Sequence, residues 1–173
     1  NGPGVTGVHS SLYLNDGNGF FIEIEDAGIL GAYSGEASFV DIDNNGTLDL
    51  LIVASNGSPY STASLYINDG TGQFTLIEDC GIRPSKEGGF ALGDVDGDGD
   101  LDIVVTGTDS RWIDGSAIEE AFTELFFNDG SGQFSPSGNT PFEVLLEGKV
   151  EFIDFENDGD LDVILAGENE QES

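Results

Sequence analysis

The sequence predicts an all-β protein built from repeated four-stranded antiparallel sheets. An aspartate-rich loop occurs three times, an Asn-Asp-Gly hairpin occurs three times, and short runs rich in β-branched and aromatic residues flank both. The loops begin at residues 41, 94 and 154, so the chain repeats with periods of 53 and 60 residues. About four short strands in each period are typical of β-propeller blades.

The hairpin of each repeat reads Asn-Asp-Gly-x-Gly between two apolar runs, which is a strong signal for antiparallel strands joined by a tight turn. The three copies begin at Asn15, Asn68 and Asn128. Each asparagine precedes the first aspartate of the next loop by 26 residues, whereas the distance from a loop to the following hairpin is 27 and then 34 residues. The constant spacing indicates the scaffold, and the variable one indicates an insertion.

The aspartate-rich loops carry oxygen-bearing side chains at alternate positions, with a glycine where the chain must turn sharply. A hard cation such as Ca2+ binds about six to eight oxygens, and a loop of this kind can supply them. We therefore predict about three Ca2+ ions, one per loop. The predicted ligands are Asp41, Asp43, Asn45, Thr47 and Asp49 in the first loop, Asp94, Asp96, Asp98, Asp100 and Asp102 in the second, and Asp154, Glu156, Asp158, Asp160 and Asp162 in the third.

The loops differ from EF-hands, which need a bidentate Glu at the twelfth position. Here the twelfth positions are Ile52, Val105 and Leu165, so the final aspartate must complete each site and a strand must follow. Acidic turns without a metal are the alternative, since Asp and Gly favour turns. The three, five and five carboxylates of the successive loops would repel one another without a counter-ion, which favours a metal. All-oxygen ligands suit Ca2+ or Mg2+, and a flexible loop favours Ca2+.

These loops and hairpins closely resemble the repeats of the FG-GAP/VCBS family, whose blades also build the head of integrin α subunits. The resemblance extends from about Ser11 to Gly167. It implies that each loop joins the first two strands of a blade and carries Ca2+. The first loop departs from the family pattern at Asn45 and Thr47. The third has Glu156 where Asp is usual, and this longer side chain is expected to weaken or reshape the third site.

On this template we predict one domain over residues 1–173, with about three blade-equivalents divided as half, two and half. The predicted parts are a half-blade at 11–26, complete blades at 36–79 and 88–135, and a half-blade at 148–167.

Unpaired half-blades would expose sheet edges, so we expect head-to-tail self-association through them, as a closed ring or an open filament. A second copy joined end to end would repeat the internal loop-to-hairpin spacing of 34 residues. An excerpt of a longer tandem array would explain the same half-blades, and the sequence leaves this open.

The charge of the chain is extreme, with 34 acidic residues against four basic ones and a net charge of −30. Such a surface repels nucleic acid and anionic membranes, so nucleic-acid binding is excluded. No apolar run is long enough to span a bilayer, so membrane insertion is not expected. Loops that rely on abundant free Ca2+ indicate an extracellular location, secreted or at the cell surface.

We predict a non-enzymatic module with a structural or adhesive role. His9 is the only histidine, which leaves little for a histidine-dependent triad or transition-metal site. The non-repetitive connection Thr108–Thr123 holds the only tryptophan, and it is either a surface for a protein or glycan ligand or a packed, scaffold-stabilising loop. The alternative function is a carbohydrate-binding module, or an accessory or catalytic fragment of a larger secreted carbohydrate-active or phosphatase-like protein.

Overall fold

The computed structural model describes residues 7–57, 60–138 and 140–169, which form strands, turns and irregular segments. None of these residues belongs to a helix that is long and apolar enough to cross a membrane. The strands are β1 (Leu12–Asn15), β2 (Phe21–Ile24), β3 (Tyr33–Val40), β4 (Asp49–Gly57), β5 (Tyr60–Asn68), β6 (Phe74–Ile77), β7 (Lys86–Gly93), β8 (Asp102–Ile113), β9 (Ser116–Asn128), β10 (Phe134–Pro136), β11 (Leu145–Ile153) and β12 (Asp162–Asn169).

Consecutive strands pair antiparallel in four sheets. We call β3–β6 blade 1, β7–β10 blade 2, β1–β2 the N-terminal half-blade and β11–β12 the C-terminal half-blade. Each complete blade has its strands in sequence order, and each half-blade is a single strand pair. The predicted all-β fold class, with two four-stranded blades between two half-blades, is therefore confirmed. The assignment of residues 1–173 to one domain stays a prediction.

The second strand of each complete blade is buried on both faces. Successive side chains of a strand point to opposite faces. On β4, Leu51 and Val53 therefore pack into the core shared with blade 2, while Leu50 and Ile52 pack into a second cluster on the other face. This double burial explains why the strand is a continuous apolar run rather than an alternating one.

The largest core lies between blade 1 and blade 2. Leu65 of blade 1 and Ile103 of blade 2 are completely buried there, and Cys80 joins them as a small apolar side chain. Burial also raises the pKa of the Cys80 thiol. The C-terminal half-blade packs on blade 2 through Val150, which joins a cluster with Val104. Each large apolar side chain buried in this way contributes about 1.5–3 kcal/mol.

Strands β8 and β9 extend beyond their neighbours as a long two-stranded hairpin. The segment Thr108–Thr123, expected to be a connection between strands, instead belongs to the strands themselves, because the ladder continues without interruption to the pair Ile113↔Ser116. The turn consists of Asp114 and Gly115, with φ of 49° and 83°. These left-handed values suit an Asp-Gly hairpin turn. The segment is therefore a paired part of blade 2.

Basic side chains form ion pairs with the acidic side chains of this hairpin. Lys86 lies 2.6 Å from Glu119, and Arg111 lies 2.9 Å from Glu120. The hydrogen bond from Lys86 lowers the pKa of Glu119, and the hydrogen bond from Arg111, together with the charge of Arg83, lowers the pKa of Glu120. Three of the four basic residues of the chain therefore offset the acidic side chains of this one hairpin.

Arg83 is the centre of this network. Its Nε lies 3.3 Å from the buried carboxylate of Asp109, which Arg111 also contacts, and its Nη1 lies 3.0 Å from Glu124. The guanidinium carbon is 4.3 Å from the centroid of the Phe122 ring, which adds a cation–π contact. Arg83 precedes β7, so these contacts tie the start of blade 2 to its long hairpin.

Candidate metal centres

Each aspartate-rich loop connects the first and second strands of a sheet. We call residues 41–49 loop 1, residues 94–102 loop 2 and residues 154–162 loop 3, and the final aspartate of each begins the second strand. The fourth loop positions, Asn44, Gly97 and Asn157, have left-handed φ of 55°, 78° and 56°. Gly and Asn adopt this conformation more readily than other residues, which lets each loop turn sharply.

Loop 1 brings three carboxylates together. One oxygen from each of Asp41, Asp43 and Asp49 lies within 4.8 Å of the others. Asp49 is completely buried, and its oxygens accept the backbone N–H groups of Ile42 at 2.9 Å and Asn68 at 2.8 Å. These bonds hold the carboxylate in place. Three negative charges at this separation repel one another unless a cation lies between them.

Asp41 provides an independent test of whether loop 1 fits a cation. Its Oδ2 accepts the backbone N–H of Gly46 at 3.0 Å, while its Oδ1 is buried without a hydrogen-bond partner among the described residues. Buried polar atoms in folded proteins almost always have a hydrogen-bond partner. A buried oxygen without one therefore calls for a bound ion or a water molecule. Since carboxylate oxygens are the ligands that hard divalent cations prefer, the residues of loop 1 fit such an ion.

Loop 2 repeats the arrangement with Asp94, Asp96 and Asp102, whose nearest oxygens also lie within 4.8 Å of one another. Asp102 is completely buried and accepts the N–H groups of Val95 at 3.1 Å and Asn128 at 3.0 Å. Burial raises the pKa of Asp102, the two N–H groups oppose this, and the neighbouring aspartates raise it further. A cation would offset both the burial and the repulsion. Loops 1 and 2 could therefore each hold a metal ion.

Loop 3 has a similar backbone but a different arrangement of carboxylates. Asp154 accepts two backbone N–H groups of the loop at 3.1 Å, and Asp158 accepts that of Asp160 at 3.1 Å. Among the described residues, only loops 1 and 2 group three acidic side chains closely enough for one ion. Glu156 and Asp162 are both exposed. The role of the loop 3 residues as ligands stays a prediction.

The remaining predicted ligands lie in the loops but make other contacts. Asn45 Oδ1 accepts both the backbone N–H and the hydroxyl of Thr47, at 2.8 and 2.5 Å. Asp98 accepts the backbone N–H of Asp100 at 2.9 Å. Asp100 Oδ1 accepts the side-chain amide of Asn44 at 2.7 Å, which joins loop 2 to loop 1. Coordination by these side chains stays a prediction.

The sequence analysis did not predict that the hairpin asparagines contribute to these sites. The backbone N–H groups of Asn68 and Asn128 hold the final aspartates of loops 1 and 2, so the third strand of each blade completes the loop before it. The side-chain amide of Asn128 also donates a hydrogen bond to the Ile42 carbonyl oxygen at 3.0 Å, and this contact joins the two blades. The sequence did contain one signal of this contact, because it has one hairpin asparagine for every loop.

A family model described as an FG-GAP-like repeat matches residues 41–105 and, again, residues 94–165. The first match extends from loop 1 through loop 2, and the second from loop 2 through loop 3, so together they cover more than half of the 173 residues. No curated protein and no solved structure matches the chain. The resemblance expected from the loops and hairpins is thereby confirmed, and the chain belongs to the FG-GAP-like repeat family.

Proposed function

We propose that this protein is a non-enzymatic, calcium-stabilised structural or adhesive module of the extracellular space, which assembles head to tail through its half-blades into a filament or a closed ring. The observation that carries the proposal is the buried Asp41 Oδ1, which has no hydrogen-bond partner among the described residues and lies beside two further carboxylates. A bound divalent ion satisfies this oxygen and offsets the repulsion in the cluster.

The chemistry of the loops favours Ca2+ over other ions. Their side chains offer oxygen ligands only, which disfavours metals that prefer nitrogen or sulfur. Mg2+ requires a near-ideal octahedron and retains several waters, whereas Ca2+ accepts flexible loops with carboxylates and backbone oxygens. Sites of this kind with modest affinity fill at the calcium concentrations found outside cells, which supports the proposed location.

A cluster in the N-terminal half-blade resembles part of a catalytic site but has the wrong connectivity. Ser11 Oγ lies 2.6 Å from His9 Nε2 and donates to Glu23 at 2.8 Å. In a catalytic triad the carboxylate holds the other imidazole nitrogen and so orients the base. Here the carboxylate accepts from the serine itself and competes with the histidine for the hydroxyl proton. These contacts are therefore not those of a catalytic triad.

The direct test is thermal unfolding of the whole chain in EDTA, in CaCl2 and in MgCl2 at matched ionic strength. Binding to the folded state alone adds RT ln(1 + [L]/Kd), which is about 2.7 kcal/mol per site at a hundredfold excess over Kd. One kcal/mol corresponds to about 2–4 °C for a chain of this size, so each filled site should raise Tm by about 5 °C or more. An identical Tm in EDTA and in CaCl2 would contradict structural calcium.

A further inference from the structure

We propose that the C-terminal half-blade of one copy of this chain and the N-terminal half-blade of a second copy join into one four-stranded blade, with β12 paired to β1. This inference rests on the self-association proposed above, and it adds the register of the contact and the residue that completes loop 3. In the described part of the chain β12 pairs with β11 alone and β1 with β2 alone. Each half-blade therefore has a free edge.

The two free edges carry sequences that pair with each other inside the complete blades. Residues 11–17 repeat residues 64–70 of blade 1 with a single difference. Residues 158–162 are identical to residues 98–102, which lead into the second strand of blade 2. The half-blades thus hold the second and the third strand of the same unit at opposite ends of the chain. A second copy supplies the strand that each edge lacks.

The complete blades define the register of the proposed junction. In both, the second residue after the final loop aspartate pairs with the third residue before the hairpin asparagine. These pairs are Leu51↔Leu65 in blade 1 and Val104↔Leu125 in blade 2. The same rule pairs Ile164 of one copy with Leu12 of the second, and Val163 with Tyr13.

Exposure at the free edges differs sharply from exposure inside the blades. Ile164 is 59% exposed, whereas Leu51 and Val104 at the corresponding positions are 0% exposed. Tyr13 is 51% exposed, whereas its counterpart Tyr66 is 0% exposed. Both half-blades therefore present apolar side chains whose counterparts are buried where the blades are complete and packed on their neighbours, and whatever part of this surface the junction removes from water favours it.

Among the described residues, none gives loop 3 the hydrogen bond that a hairpin asparagine gives to loops 1 and 2. The backbone N–H groups of Asn68 and Asn128 hold the final aspartates of those loops at 2.8 and 3.0 Å. Asp162 accepts the Phe155 N–H on Oδ2 at 3.0 Å, but it is exposed. In the proposed register the backbone N–H of Asn15 from the second copy reaches the Oδ1 of Asp162. The second copy thereby buries this carboxylate and completes the loop.

Calcium and association should strengthen each other at this junction. Burying Asp162 beside the other carboxylates of loop 3 is unfavourable unless a cation compensates the charge. Each copy also carries a net charge of −30, so the copies repel one another at low salt. A general screening effect would follow ionic strength alone, whereas completion of loop 3 requires the divalent ion itself.

The first experiment measures association of the whole chain by sedimentation velocity in EDTA, in CaCl2, and in KCl of matched ionic strength. We expect head-to-tail oligomers in CaCl2, with a dissociation constant at least tenfold lower than in KCl. A monomer under all three conditions would overturn both self-association and the junction, and would leave a further repeat of the same polypeptide as the occupant of these edges.

The second experiment tests the register by disulfide cross-linking. The double variant Leu12→Cys with Ile164→Cys should give a ladder of covalent oligomers, while Leu12→Cys with Val163→Cys should give at least tenfold less, because a shift of one residue places the side chains on opposite faces. Leu12→Cys alone is the control for Cys80, which is 2% exposed. Association with equal cross-linking in both double variants would overturn the junction while self-association stands.

Hydrogen exchange of the unmodified protein keeps the test valid if the cysteine variants fail to fold. The amides of Asn15 and of β12 should exchange at least tenfold more slowly in the calcium-induced oligomer than in the monomer. Unchanged exchange at both edges in a protein that does associate would show that the copies meet at another surface, and the proposed junction would be wrong.

Discussion

Replacement of Asp102 by asparagine tests whether the loop 2 carboxylates form a cation site. The side chain is completely buried, and its two oxygens accept the N–H groups of Val95 at 3.1 Å and Asn128 at 3.0 Å. Asparagine keeps the shape and one acceptor oxygen, but its amide nitrogen cannot accept a hydrogen bond. One of the two backbone donors therefore loses its partner, and the cluster loses one of its three negative charges.

The expected loss of stability has two parts, and only one depends on calcium. A buried N–H without an acceptor costs about 1–3 kcal/mol in any buffer. In EDTA the loss should lie near the lower end, because burial and the charges of Asp96 and Asp98 already raise the pKa of Asp102 and disfavour its ionised form. With calcium the variant also loses the binding contribution of about 2.7 kcal/mol at a hundredfold excess over Kd. We therefore expect a loss of about 1–2 kcal/mol in EDTA and about 4 kcal/mol in CaCl2.

The assay is thermal unfolding by circular dichroism, with each variant measured in EDTA and in CaCl2 at a concentration where the protein is monomeric. Asp114→Asn is the matched control, because it removes the same charge from an exposed hairpin turn whose φ of 49° asparagine tolerates. This control should change stability by less than about 0.5 kcal/mol in either buffer. If Asp102→Asn retained the full calcium-induced rise in Tm, the carboxylate would not be a ligand and the reasoning would fail.

Gly81→Ala should destabilise the protein by about 2 kcal/mol or more in urea unfolding, since its φ is 83° and a methyl group there would meet the backbone carbonyl that begins β10. Gly115→Ala has the same φ of 83° in open space and should lose only about 1 kcal/mol, so equal losses would contradict the steric argument. Arg83→Met should lose about 2–3 kcal/mol, because a buried carboxylate keeps one cation instead of two, whereas Lys149→Met breaks an exposed pair and should lose less than about 1 kcal/mol. NMR titration should find the pKa of Glu119 below its ordinary value, and replacing its lysine partner by methionine should raise it. Because the pKa of Glu119 is lower in the folded state, this contact stabilises the protein above the ordinary glutamate pKa, and the stabilisation is lost as the pH falls through the folded pKa. An unaltered titration of Glu119 in the variant that lacks Lys86 would contradict the assignment.

The strand order and the positions of the loops could be predicted because turn chemistry acts over a few residues. The Asn-Asp-Gly hairpins and the continuous apolar runs specify where strands begin and reverse. The length of β8 and β9 could not be predicted in this way. Glu119 and Glu120 are unfavourable in strands by local preference. Arg111 offsets Glu120 from within the hairpin. The other cations that offset the pair, Lys86 and Arg83, lie far away in the sequence. The hairpin therefore depends in part on contacts that no local pattern contains.

The sequence predicted one part of the candidate site, the grouped aspartates, and missed another, the contact from the third strand. The alternating oxygens identified the aspartates that loops 1 and 2 bring together. The third-strand contact was missed because the constant spacing of 26 residues relates each hairpin asparagine to the loop that follows it. The hydrogen bonds instead join it to the loop before it, across 19 residues for Asn68 and 26 residues for Asn128. The number of residues between a loop and the following hairpin varies, so no constant spacing marks this relation in the sequence.

Comparison of loop 2 with loop 3 indicates what a loop needs, besides the sequence motif, to bring its carboxylates together. Both contain Asp-Gly-Asp-Leu-Asp, yet only loop 2 groups three carboxylates among the described residues. Glu156 replaces an aspartate in loop 3, but a longer side chain does not by itself explain why Asp162 is exposed while Asp102 is completely buried. The third strand does explain it, because it covers Asp102 and donates the Asn128 N–H to it. The candidate site in loop 2 is therefore a property of three strands together, and we expect the affinity of a loop for a cation to depend on whether a third strand is in place.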